Sequence, residues 1–115
     1  MDFLDLAKKR YSVRSYKKTP VEEEKVACIL EAARVAPSAA NLQPTRLVVI
    51  DNAEGMEKLS RAANVYSAPL AIIVCADHAK AWKRPADGKS TVDIDASIAT
   101  DHMMMEATSL GLGSV

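Results

Sequence analysis

The chain alternates between two hydrophobic periods, one of about 3.6 residues and one of short unbroken runs, and the changes between them divide it into elements. Phe3, Leu6, Ala7 and Arg10 fall at helical spacing behind Asp2, a residue suited to capping a helix start. Thr19-Pro20-Val21-Glu22 predicts a second helix start, with the threonine as cap, the proline in the first turn and Glu22 closing a capping box. Val26, Ile29, Leu30 and Ala33 then make an i, i+3, i+4, i+7 stripe, and Pro37 ends it. Leu47-Val48-Val49-Ile50 reads as a buried strand that turns at Asp51-Asn52. Met56 and Leu59 suggest a short amphipathic helix to about Ala63.

The run Pro69-Leu70-Ala71-Ile72-Ile73-Val74-Cys75-Ala76 is apolar throughout, which predicts a strand covered on both faces. Periodicity lapses from Asp77 to Ser90, a stretch with Trp82, Pro85, Asp87 and Gly88 that suggests a loop or lid. Trp82 could lean on a ligand or cover a local core edge. A last helix is expected from Thr91 or Asp93 to Leu110. Its apolar residues, Ile94, Ile98, Met103, Met104, Met105, Ala107 and Leu110, go almost all the way round. A helix of that kind is buried on every side, which a chain this small can hardly achieve alone, so a partner subunit is the natural cover.

Composition narrows the function classes. The 115 residues fit one domain of modest core, residues 1–115. Fifteen basic residues balance fifteen acidic ones and aromatics make up 4%, which argues against nucleic acid or an anionic membrane as partner. No apolar run reaches membrane-spanning length and the first residues lack a secretory layout, so the expected location is cytoplasmic. Cys28, on the stripe of the second helix, and Cys75, at a strand end, are expected to be small buried hydrophobes. The methionine triplet reads as adaptable packing and His102 as a core or interface polar residue; no metal-binding cluster or phosphate-binding glycine loop is present.

Two segments carry candidate chemistry. Arg10-Tyr11-Ser12-Val13-Arg14 puts two guanidinium groups and a hydroxyl within five residues, a donor set suited to phosphate oxygens. A helix C-terminus does not attract an anion by its dipole, so these side chains must do so; the plainer reading is a basic patch complementing that dipole. Pro37-Ser38-Ala39-Ala40-Asn41-Leu42-Gln43-Pro44 is small and polar, able to let its backbone approach a flat ligand, or simply a solvated connection.

Taken together, the Arg-x-Ser-x-Arg element, the Pro-Ser-x-x-Asn-x-Gln-Pro loop and the run Ser109-Leu110-Gly111-Leu112-Gly113-Ser114 resemble the nitroreductase family of FMN-dependent oxidoreductases. The resemblance spans the whole chain and implies an α+β fold, a central sheet flanked by helices with a long buried helix at a dimer interface. It implies a homodimer binding FMN, in which NAD(P)H passes hydride through flavin N5 to a small-molecule acceptor such as a nitroaromatic or quinone. Arg10, Ser12 and Arg14 would hold the FMN phosphate, Arg14 also lying near the N1/O2 edge. Pro37, Ser38, Ala39 and Asn41 of the partner subunit would pack round the ring, with Gln43 stabilising the loop. No side chain is expected to act as catalytic acid or nucleophile, and no metal is implied. Thr45 stands where many relatives have tryptophan, a change of packing. Family members also continue past the glycine run into another strand, a flavin-contacting loop and further phosphate contacts. A chain stopping at Val115 is then either a fragment or a shortened homologue, and the alternative function is a non-catalytic dimeric flavin-binding or dimerisation remnant of that family.

Overall fold

The computed structural model describes residues 2–115. In chain order they form α1 (Phe3–Lys9), α2 (Glu23–Arg34), a short 3-10 turn (Ala39–Asn41), β1 (Thr45–Ile50), α3 (Ala53–Ser60), β2 (Ala71–Ala76) and α4 (Val92–Ser109), an α+β arrangement.

Asp2 caps α1 by accepting the Asp5 N–H at 2.9 Å, and Lys8 and Lys9 occupy the last turn. The helix packs on α4 with Leu6 and Ala7 half-buried, yet none of its residues is fully buried, and Phe3 is 71% exposed.

The start of α2 differs from the sequence expectation. No capping box forms at Thr19; the helix begins at Glu23, with Glu22 as an extended residue that makes no side-chain cap. The Glu22 carbonyl accepts the Lys25 and Val26 amides, and its carboxylate pairs with Lys25 at 3.0 Å. Three successive glutamates supply negative charge at the positive end of the helix, which removes the need for the threonine. Of the predicted stripe, Ile29 is buried and Val26, Leu30 and Ala33 are half-buried. Cys28 faces solvent instead, one residue off that stripe, and Cys75 is exposed as well; both are free thiols.

The core gathers Ile29, Met103 and Ala107 with Ala33, Leu47, Ile72, Val74, Leu110 and Leu112. The two strands pair antiparallel from Thr45↔Ala76 to Ile50↔Ala71. Side chains alternate across a strand, so Leu47, Ile72 and Val74 meet the core while Arg46, Val48, Ile73 and Cys75 share the other face. That outer face is open, with Val48 48% exposed. The expectation of strands covered on both sides is therefore corrected: in a two-stranded sheet with α4 against one face, nothing among the described residues covers the second.

Thr91 precedes α4, and the helix runs as its apolar pattern predicts. In its second half Met103, Met105, Ala107 and Thr108 are buried, whereas Ile94 in the first half is 50% exposed. Gly111 ends the helix with φ +81, a left-handed geometry that costs glycine least, while the Leu112 amide reaches back to the Ala107 carbonyl at 2.8 Å.

Residues 77–90, expected as a loop or lid, form a compact staple. Lys83 and Ser90 pair as an antiparallel bridge, Arg84 forks onto Asp87 at 2.9 Å through Nε, and Ala81 is buried. Trp82 is half-buried and its carbonyl accepts the Thr91 amide at 3.0 Å, pinning the staple to the start of α4. No helix among the described residues is long and apolar enough to cross a membrane.

Candidate functional site

Beyond the end of α1 the chain runs extended, and Ser12 pairs with Ser114 in a parallel bridge, the Val13 amide donating to the Ser114 carbonyl at 3.0 Å. The Arg-x-Ser-x-Arg segment is thereby clamped against the residues that follow α4. Arg10 is half-buried, and Ser12 and Arg14 are exposed. Five ion pairs among the described residues engage Lys25, Arg34, Lys58, Arg61 and Arg84, and neither Arg10 nor Arg14 takes part in one. Two guanidinium groups without an ion-pair partner among the described residues, and an exposed serine between them, thus share one extended segment whose backbone is pinned at its middle. The Ser114 hydroxyl nearby is buried without a hydrogen-bond partner.

Tyr16 closes this end. Its hydroxyl donates to the Val13 carbonyl, and burial, then the Tyr66 phenol, push its pKa above the ordinary value against the opposing pull of Arg14.

The second segment is built differently. The Ser38 hydroxyl accepts the Gln43 amide at 3.0 Å and the Ser38 carbonyl accepts the Asn41 amide at 3.0 Å. Gln43 bonds within the loop, its Nε2 donating to Asn41 Oδ1 at 3.3 Å. Ala40, Asn41 and Gln43 all have left-handed backbone, with φ of 53, 54 and 50. Each such L-residue costs about 1–2 kcal/mol, so the surroundings must hold the loop in place. Pro37 and Asn41 are exposed, Ser38 and Ala39 half-buried, and Pro44 is fully buried.

The hold comes from α4. Asp95, 2% exposed, accepts the Ala39 amide on Oδ1 at 3.0 Å and the Thr91 hydroxyl on Oδ2 at 2.9 Å. Sequence reasoning missed Asp95; the available signal was an acidic residue inside the first turns of an otherwise apolar helix. The loop is consequently fixed near the start of α4, and the arginine segment near its end. At ~1.5 Å per residue those points lie about 20 Å apart along the helix. Arg10, Ser12 and Arg14 therefore belong to one pinned segment and Pro37, Ser38, Ala39 and Asn41 to another, with no hydrogen bond or ion pair between the two among the described residues.

Two open depressions lie away from these segments. One of about 470 Å³ lies between α3 and the residues after it, bordered by Met56, Ser60, Asn64 and Tyr66. The other, of about 480 Å³, runs along α4 and β2 past Val74, Asp93, Ala96, Ser97, Thr100 and Met104. Among the described residues no group of three or more His, Cys, Asp or Glu is placed to hold a metal ion.

Comparison with known proteins gives this arrangement its place. The backbone arrangement of a small antiparallel sheet against one long helix superposes on solved structures. A nitroreductase family protein from Clostridium difficile 630 superposes with a TM-score of 0.98 at 59% identity, covering all of this chain and 67% of that one. An FMN-dependent nitroreductase from Clostridium difficile R20291 gives a TM-score of 0.84 at 36% identity, over 96% of this chain and 63% of that one. A protein of Methanothermobacter thermautotrophicus, provisionally named NADH dehydrogenase/NAD(P)H nitroreductase, is 40% identical over 119 residues, 100% of this chain and 60% of its own. The sequence model of the nitroreductase family matches residues 7–65 and 57–115, and the chain belongs to that family. It spans about 60% of the length of the curated relatives it matches.

Proposed function

We propose that the chain contributes to an FMN-dependent oxidoreductase that takes hydride from NAD(P)H and delivers it to a small acceptor such as a nitroaromatic or quinone. The observation that carries this reading is the cluster of Arg10, Ser12 and Arg14, whose guanidinium groups have no ion-pair partner among the described residues and whose backbone is pinned by the Ser12–Ser114 bridge. The donor set fits a phosphate monoester: two planar forks and a hydroxyl can engage its oxygens, and preorganised backbone lowers the ordering cost. The relatives' names, an FMN-dependent nitroreductase and an NAD(P)H nitroreductase, agree with that chemistry.

When bound, FMN supplies the redox chemistry, accepting and releasing hydride at its N5. The chain's own part is binding and orientation. Arg10 and Arg14 would neutralise the phosphate while the Ser12 hydroxyl would donate a hydrogen bond to it, and Arg14 would add positive charge that favours the reduced ring. Pro37, Ser38, Ala39 and Asn41 offer small surfaces against a flat ring and exclude water from it. Because the arginine segment and the loop sit at opposite ends of α4, each flavin would draw the loop from a second copy. The exposed Ile94 and the groove along α4 and β2 support a homodimer on that face. The single shared core supports reading residues 1–115 as one domain.

The test is the visible absorption spectrum of the purified chain after FMN addition and desalting, followed by NADH under anaerobic conditions. Retained flavin bands that bleach with NADH are expected. A protein that leaves the column colourless overturns flavin binding by this chain, and bands that do not bleach leave a flavin-binding protein without reductase activity.

A further inference from the structure

We propose that Asp95 is the positioning residue that sets the shape of the loop facing the flavin, acting from α4 on a ring it does not touch. This rests on the flavin reading of residues 37–41 given above. The buried carboxylate has no cationic partner among the described residues; it is balanced by two donors and by its place in the first turns of α4, where the helix dipole favours negative charge. A carboxylate serving the helix alone would need neither that depth nor a partner 56 positions away in sequence.

Its long-range bond falls at a telling point. Ala39 opens the 3-10 turn, and the two residues after it are the left-handed Ala40 and Asn41. Left-handed L-residues relax to ordinary backbone unless something fixes the turn at both ends. Ser38 fixes the far end through the Gln43 amide, and Asp95 fixes the near end through the Ala39 amide. Thr91 orients the carboxylate by donating to Oδ2, and its backbone carbonyl accepts the Asp95 amide at 2.8 Å. The start of α4 and the loop thus share one rigid set of bonds, so the geometry presented to a ring is decided inside the helix.

The experiment has one arm without flavin and one with it. Amide hydrogen exchange on the apo wild-type chain should show Ala39 protected well beyond the neighbouring exposed amides; free exchange at Ala39 would overturn the anchor directly. Asp95→Ala should lose that protection and weaken FMN binding by about tenfold or more, the scale of one charge-assisted bond. The visible circular dichroism of any FMN it still holds should change. Asp95→Asn, which keeps an acceptor for Ala39, should restore protection and the dichroism. Should Asp95→Ala fail to fold, Ala39→Pro deletes the donor and leaves α4 intact, proline being suited to the first position of a helical turn. Wild-type FMN affinity and dichroism in either folded variant would overturn the positioning role. A wild-type chain that binds no FMN but protects Ala39 would sink the flavin reading and leave the anchor standing.

Discussion

Val13 occupies the space that a side chain at Gly113 would need: a Cβ built there lies 2.9 Å from Val13 Cγ2 and 3.0 Å from its Cβ and Cγ1. A β-branched residue cannot swing those atoms away, so contact at this point is decided by backbone. Gly113→Ala is expected to destabilise the chain by about 1–3 kcal/mol, as overpacking does. Val13→Ala in the same chain should recover part of that loss, since it removes both γ carbons but keeps the Cβ 3.0 Å away, a non-additivity that urea unfolding of the single and double variants would show. Additive effects would mean the segments separate more easily than the bridge implies.

Arg14→Ala is expected to weaken FMN binding tenfold or more, on the order of one charge-assisted contact at about 1.5–3 kcal/mol. Arg14→Lys should recover only part of it, because a point charge replaces a fork. Fluorescence titration of flavin measures both, and unchanged affinity in Arg14→Ala would remove the phosphate assignment.

The proposed dimer, in which each site draws on two copies, makes a complementation test possible. In mixed dimers of Arg14→Ala with Asn41→Ala, one site collects both lesions and the other collects none. About half of the flavin capacity should return, relative to either homodimer. Mixed dimers that bind no better than the parent variants would indicate that each chain builds its site alone.

Alkaline solution should act through Tyr16. Its folded pKa is raised, first by burial and then by Tyr66, so the phenol contributes stability that is present below its unfolded value of about 10 and is lost as pH rises through the folded one. Tyr16→Phe should flatten the fall in thermal midpoint above about pH 10. An identical fall in the variant would assign it to other groups.

Acid acts with the opposite sign on the staple at residues 83–90. Hydrogen bonding from Arg84, and then from the Lys89 amide, holds the Asp87 pKa below the ordinary aspartate value. The ordering it gives is complete above about pH 4 and fades as pH falls through the folded value. Amide chemical shifts of Gly88 and Lys89 should move in that window and stay still in Asp87→Asn; shifts that persist in the variant would exclude Asp87 as their source.

The helices were legible wherever burial and period coincide. Ile29 and Ala33, or Met103 and Ala107, repeat at four residues because each faces the same core. The strands were legible as runs, but a run of apolar residues gives no measure of how many of its faces are covered, and Ile73 and Val48 proved open. Glu22 misled because proline and threonine before it satisfy the same local rule that three glutamates satisfy electrostatically. The candidate residues at 10–14 and 37–41 were readable as donors and small surfaces. Their attachment was not, since the Asp95–Ala39 and Val13–Ser114 bonds join positions far apart in sequence. Nothing about alanine announces the left-handed backbone at Ala40.

The chain has a single tryptophan, and its position gives the molecule a built-in optical gauge. Trp82 offers its carbonyl to the Thr91 amide and hydroxyl, Thr91 holds Asp95, and Asp95 holds Ala39. Its emission wavelength and lifetime therefore report on the corner where staple, helix and loop meet. Loosening of that corner by heat, denaturant or substitution becomes visible in intrinsic fluorescence, with no dye, label or second tryptophan to confuse the signal.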